Sequence, residues 1–182
     1  MEKFLTHKMY KAYIEMYLGI MVLRISDIQE ILIAKFPSAA IASSYENQSL
    51  ILEVKKIISE IRSQGLQQPE NLREAFTEIN RIFLISTWEF LKETSTYSTI
   101  ALEPTIQFFR HVRNGCAHNN TFNFDQVKNP ARWRDKTITD TLKGTPVIPD
   151  FIKDADPLIL LVEINNKYFE PINIEGFHPY QT

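Results

Sequence analysis

Apolar residues recur at helical spacing along most of this chain, and prolines stand at the edges of those runs. Proline lacks the amide that a helix interior needs but fits the first turn, so it marks where helices start and stop. Tyr13, Met16, Tyr17, Ile20, Leu23, Ile28, Ile31 and Leu32 keep a helical period, with Lys11, Glu15, Asp27 and Glu30 between them. That spacing predicts one long helix over 4–35, stopped by Pro37. The small residues of 38–46 read as a loop, and Asn47 fits the N-cap of a second helix over 48–64. Leu50, Ile51, Val54, Ile57, Ile58 and Ile61 form its apolar face, and Gly65 fits its C-terminal stop. Pro69 opens a third helix over 70–95 whose buried stripe is Leu72, Phe76, Ile79, Phe83, Trp88 and Leu91. The Thr/Ser-rich segment 94–99 ends it. Pro104 opens a fourth, with Ile106, Phe109 and Val112 facing inward.

Beyond His118 the texture changes. Residues 119–150 carry Pro130, Gly144, Pro146 and Pro149 with short mixed stretches at Ala131–Ile138 and Thr145–Ile148, the pattern of a small hairpin or an irregular cover. Asp156-Pro157 then reads as the cap and first turn of a last helix over 157–168, with Leu158, Leu161, Val162 and Ile164 apolar. The tail from Pro171 reads as loosely attached. The expected fold is therefore all-α: an antiparallel bundle of four to five helices with a partly irregular C-terminal segment. The chain reads as a single domain, 1–182, in which 126–182 is a C-terminal elaboration. With only 5 glycines among 182 residues, a glycine-rich phosphate loop or a turn-dense β-sandwich is disfavoured.

The net charge of −2 conceals an asymmetry. Arg110, Arg113, Lys128, Arg132, Arg134 and Lys136 face only Asp125 and Asp135 within 110–136, whereas the segment from Asp150 onward is acidic. A locally basic stretch in an acidic chain points to a localised anionic ligand. The single Cys116 has no disulfide partner within the chain, and the N-terminus lacks the shape of a signal peptide. The apolar run Ala12–Leu23 contains Glu15 and is too short to span a bilayer. A cytoplasmic protein without membrane contact is expected.

Chemistry concentrates between Phe108 and Asn120, where Arg110, His111, Arg113, Asn114, His118, Asn119 and Asn120 crowd together. Each step of four residues turns a helix by only about 40°, so Arg110, Asn114 and His118 share a face within about 80°. Arg113 lies about 140° from His118 on an ideal helix and is expected to turn away from both Asn114 and His118. Packing this helix end against its own copy in a symmetric dimer would place two arginines and two histidines around one cleft. Such a cluster suits RNA cleavage without metal or cofactor. Histidine titrates near neutrality and can take the ribose 2′-hydroxyl proton or protonate the leaving oxygen. A guanidinium stays charged and binds phosphate in a bidentate way.

The arginine, the polar neighbour and the histidine after four intervening residues, Arg113-Asn114-Gly115-Cys116-Ala117-His118, resemble the signature of HEPN-domain ribonucleases. The resemblance implies a helical domain that dimerises, lines one cleft with the motif of both protomers, and cuts RNA without metal to leave cyclic phosphate and 5′-hydroxyl ends. It implies Arg113 and His118 as the catalytic pair with Asn114 supporting. Arg110, His111, Asn119 and Asn120 are added from geometry as substrate-binding residues. Many members are toxins or phage-defence effectors, so an antitoxin or other partner protein is a candidate restraint. Other members lack nuclease activity, which makes a silent domain binding RNA or a partner protein the alternative function.

Plainer roles compete for the same residues. Arg113 suits the C-terminal end of a helix as a cation, and His118 suits a cap on its last carbonyls. Cys116 and His118, two residues apart, point about 200° apart and make no nucleophile pair. His111 and His118 are about 10 Å apart along the axis, too far for one metal ion. Trp133 in Arg132-Trp133-Arg134 either stacks on RNA or pins the C-terminal segment to the bundle, the second being favoured.

Overall fold

The computed structural model describes residues 4–5, 7–42, 49–63, 65 and 69–172. Among them, α-helices run His7–Val22 (α1), Ser26–Lys35 (α2), Val54–Ser63 (α3), Pro69–Glu93 (α4), Tyr97–Ile100 (α5), Pro104–Ala117 (α6) and Asp156–Tyr168 (α7). Strands Ser38–Ala42 (β1) and Ser49–Glu53 (β2) form one antiparallel pair, and Arg132–Trp133 (β3) and Lys136–Thr137 (β4) another. The class is all-α, with strands only as two small ribbons.

The single helix expected over 4–35 is two helices. Ile25 adopts an extended conformation (φ −86°, ψ 113°) and stands as the N-cap of α2. The buried side chain of Gln29 bridges the break. Its Nε2 donates to the Leu23 carbonyl at 2.5 Å, and its Oε1 accepts from Arg62 Nε at 2.7 Å. An amide side chain thus satisfies a carbonyl that the end of α1 leaves open.

The expected helix over 48–64 is also corrected, because 49–53 is a strand and the helix starts only at Val54. Asn47 lies outside the described residues. Residues 38–42 pair with 49–53, placing Ala40 opposite Ile51 and Ile41 opposite Leu50, where the sequence reads as a loop. Leu50-Ile51-Leu52 is a short apolar run whose period fits a helix or a strand equally, and the pairing decides it. Gly65 does stop α3: its φ is 64°, and its amide donates to the Arg62 carbonyl at 3.2 Å.

The chain divides into two compact units, Met1–Tyr13 with Thr77–Thr182, and Ile14–Phe76. In the second, Tyr17 stacks on Phe76 with ring centroids 4.4 Å apart, and α3 packs on α2 and on the β1–β2 ribbon. In the first, Tyr13 stacks on Phe83 at 4.1 Å and donates to Asn80 Oδ1 at 2.7 Å. Pro104 takes the first turn of α6 as expected, and Ile106, Phe108, Phe109, Val112 and Cys116 are fully buried. Trp88 meets the edge of Phe109 at 5.2 Å, so α4 lies along α6. In α7 both Asp156 and Pro157 belong to the helix, and Asp156 Oδ2 accepts from the Lys153 amide at 2.8 Å. Asn165 on α7 accepts from the Leu5 amide at 3.0 Å and donates to the Glu170 carbonyl at 2.8 Å.

The irregular segment between α6 and α7 carries the hairpin that the composition of 131–138 suggests. Trp133 is buried there, 5.7 Å from the Phe108 ring, and its Nε1 donates to Glu163 Oε2 at 2.6 Å. Arg134, in the left-handed region at φ 52°, forms an ion pair with the same carboxylate. Trp133 therefore pins the hairpin to α6 and α7.

Candidate functional site

The segment 110–120 lies on the last two turns of α6 and the turn that follows. Ala117 ends the helix because His118 leaves helical geometry (φ −101°, ψ 62°) while its amide still donates to the Asn114 and Gly115 carbonyls at 3.0 and 3.1 Å. Asn119 and Asn120 then both adopt left-handed conformations, with φ of 54° and 57°. Asparagine tolerates that region better than most residues, which is what two such positions in succession require. Arg81 on α4 adds a side-chain cap, its Nε donating to the Cys116 carbonyl at 2.9 Å.

Gly115 fixes how closely the chain returns. A Cβ there would meet Val147 Cγ2 at 2.5 Å and the Thr121 carbonyl oxygen at 3.4 Å. The Thr145–Val147 segment runs directly against this face: Phe122 donates to the Thr145 carbonyl and Val147 to the Asn120 carbonyl, at 3.0 and 2.9 Å. Asn120 is fully engaged in this contact. Its Nδ2 donates to the Ile148 carbonyl at 2.5 Å and its Oδ1 accepts from the Ile148 amide at 3.1 Å. The side chain imitates a backbone pairing partner and acts as a clasp.

Arg113 points toward α4. Its Nη2 meets Glu89 Oε1 at 2.5 Å, and its Nη1 donates to Asn114 Oδ1 at 3.1 Å. Its Nε is buried with no hydrogen-bond partner among the described residues. The helix-angle expectation that Arg113 turns away from Asn114 does not hold, because the long side chain reaches sideways to its neighbour's amide. Glu89 also meets Lys92 Nζ at 2.5 Å, and its carboxyl is held below the ordinary range by the Lys92 hydrogen bond and by the charges of Lys92 and Arg113. Arg113 is thus one cation of a Lys92–Glu89–Arg113 triad.

The other residues separate by exposure. Arg110, His118 and Asn119 are exposed, while His111 is buried with its ring edge-on to Phe124 at 5.3 Å. Burial and the Arg110 charge hold the His111 imidazole below its ordinary pKa, which favours the neutral ring. Burial pushes the Cys116 thiol up to about 12, as befits a packed apolar residue. Among the described residues no group of three or more His, Cys, Asp or Glu side chains stands close enough to hold a metal ion, and no helix is long and apolar enough to cross a membrane.

Arg113 and Asn114 are therefore brought together, and Arg110 and His118 stand exposed on the same stretch. His111 and Asn120 are drawn into the interior and the clasp. Glu89, Lys92 and Arg81 were missed from sequence, where Glu89 and Lys92 look like an ordinary i,i+3 surface pair. The one signal was that Glu89 directly follows the buried Trp88, so it lies beside the contact between α4 and α6. No protein-family model matches this chain, and no curated protein or solved structure matches it either.

Proposed function

We propose that this chain is a homodimeric, metal-independent endoribonuclease of HEPN type, built on a HEPN-like helical bundle and acting in the cytoplasm as a toxin or antiviral effector. The observation that carries the reading is the state of His118. Its imidazole is exposed and has no side-chain partner among the described residues, one helical turn beyond the joined side chains of Arg113 and Asn114. A histidine so placed is free to take the proton of a ribose 2′-hydroxyl. The resulting oxygen attacks the adjacent phosphorus, the bond to the 5′-oxygen breaks, and that oxygen leaves with a proton from water, whose hydroxide takes back the proton held by His118. The products are a 2′,3′-cyclic phosphate and a 5′-hydroxyl. Arg113 keeps N–H groups that neither Asn114 nor Glu89 takes, and these are its means of holding the phosphate as charge develops. Arg110 and Asn119, both exposed, extend the site toward the flanking backbone.

The test is cleavage of RNA in EDTA by the full chain, compared with His118→Ala and Arg113→Ala. Loss of a general acid or base lowers the rate by about 10²–10⁴, so His118→Ala is expected to fall in that range. Cleavage that survives both substitutions overturns the site.

One observation favours a second reading. Glu89 already neutralises Arg113, and Asn120 is committed to Ile148. A domain that binds RNA or a partner protein without cutting would retain such contacts. Binding unaffected by His118→Ala, with no cleavage, is its signature.

A further inference from the structure

The unit Ile14–Phe76 has little interior of its own. Among its described residues only Ile58 and Gln29 are buried, while large apolar side chains stand open to solvent. The β1–β2 ribbon is the extreme case. Ile41, Leu50 and Ile51 are 53%, 59% and 56% exposed. Successive residues of a strand point to opposite faces, so exposure of both Leu50 and Ile51 leaves apolar surface open on both faces of the ribbon, although α3 packs against part of it. A two-stranded ribbon so thinly covered is marginal in water and gains stability from a further strand.

The edge is also unprotected. Exposed edge strands ordinarily carry lysines, prolines or bulges that block pairing with another chain. Ser38-Ala39-Ala40-Ile41-Ala42 has no charge at all, and Ser49-Leu50-Ile51-Leu52-Glu53 has only its terminal glutamate. Among the described residues β2 is paired on one side only, to β1.

We propose that β2 pairs antiparallel with β2 of a second copy across a twofold axis, giving a four-stranded sheet. An identical strand meets the electrostatic requirement. With pairing centred on Ile51, each Glu53 lies opposite the partner's Ser49, so the one charge of the strand never faces its own copy. Ile41, Leu50 and Ile51 are each more than half exposed, so side chains of a neighbouring strand would cover apolar surface that now faces solvent. A lipid surface would cover one face of the ribbon and leave its backbone edge unpaired, whereas a second strand satisfies that edge. The inference assigns to β2 the pairing that holds together the dimer of the nuclease reading, yet absence of RNA cleavage leaves it standing, because its test reads association alone.

Sedimentation equilibrium of the full chain tests it. The wild type is expected to dimerise in the micromolar range. Ile51→Lys, which sets like charges face to face at the twofold axis, is expected to weaken association at least about tenfold, and Leu50→Lys likewise. Both positions are exposed, so the thermal melt of the dilute monomer is expected to stay unchanged. Ile82→Lys, at an exposed position on α4, and His118→Ala are the controls and are expected to leave association intact. Amide exchange of Leu50–Leu52 is expected to slow as protein concentration rises. A wild type that stays monomeric overturns the proposal, as does a dimer indifferent to Ile51→Lys. So does a monomer that binds phosphatidylserine vesicles through Leu50 and Ile51.

Discussion

Gly115→Ala probes the contact that holds the end of α6 in place. Judged by helix propensity alone, the substitution stabilises, since glycine costs up to about 1 kcal/mol relative to alanine inside a helix. The structure predicts the opposite sign. The new methyl would lie 2.5 Å from Val147 Cγ2, with the Thr121 oxygen and Phe122 Cα at 3.4 and 3.5 Å, and Val147 is fully buried. Overpacking of this kind costs about 1–3 kcal/mol. Set against the full propensity gain, the net loss is about 0–2 kcal/mol, centred near 1 kcal/mol, or roughly 2–4 °C in Tm for a chain of this length. Both tryptophans, Trp88 and Trp133, are buried in the same unit as Gly115, so urea unfolding followed by their fluorescence reports on the relevant body. Val147→Ala removes the obstructing methyl group. In the double variant the Gly115→Ala penalty is expected to shrink by about 1 kcal/mol, the coupling typical of residues in direct contact. A stabilising Gly115→Ala, or full additivity with Val147→Ala, would refute the reasoning.

Two more perturbations follow from the same region. Asn120→Ala removes both bonds to the Ile148 backbone and leaves a left-handed φ of 57° without a residue suited to it, so a loss of about 2–3 kcal/mol is expected in urea unfolding, with Asn120→Gly recovering about 1 kcal/mol. His111 titrates in the folded protein below its ordinary 6.5, so the unfolded chain binds the extra proton first. Its contribution to stability is complete above about pH 6.5 and is lost as pH falls from there through the folded pKa. His111→Gln is expected to flatten that acid-side slope in a series of urea midpoints, and an unchanged slope would show that the imidazole is not held neutral.

The helices that frame the site were legible because local chemistry and tertiary packing agree there. Pro69 and Pro104 open their helices, and Ile79, Phe83, Trp88 and Leu91 fall on the buried side of α4 as their spacing implies. The N-terminal third was not, and for physical reasons. The break between Val22 and Ser26 interrupts no hydrophobic period, and Gln29, which closes it, is a polar residue whose burial only tertiary structure reveals. The ribbon at 38–53 depends on pairing between segments whose alanine- and leucine-rich composition carries no strand period. At the site, the position of the motif on α6 could be read from spacing, but the partner of Arg113 could not. Glu89 lies 24 residues away, and its selection depends on how α4 and α6 pack. The commitment of Asn120 to Ile148, 28 residues on, was hidden for the same reason.

The central claim is that the Arg113–His118 stretches of two copies make one ribonuclease site, and mixing two inactive variants tests it most directly. Arg113→Ala and His118→Ala are each expected to leave RNA intact in EDTA. Once their subunits exchange, a mixed dimer holds one intact Arg113 on one chain and one intact His118 on the other. The account predicts that cleavage returns on mixing, at a substantial fraction of the wild-type rate and with cyclic phosphate ends. Cleavage by either variant alone, or no recovery in a mixture shown to contain mixed dimers, would contradict it.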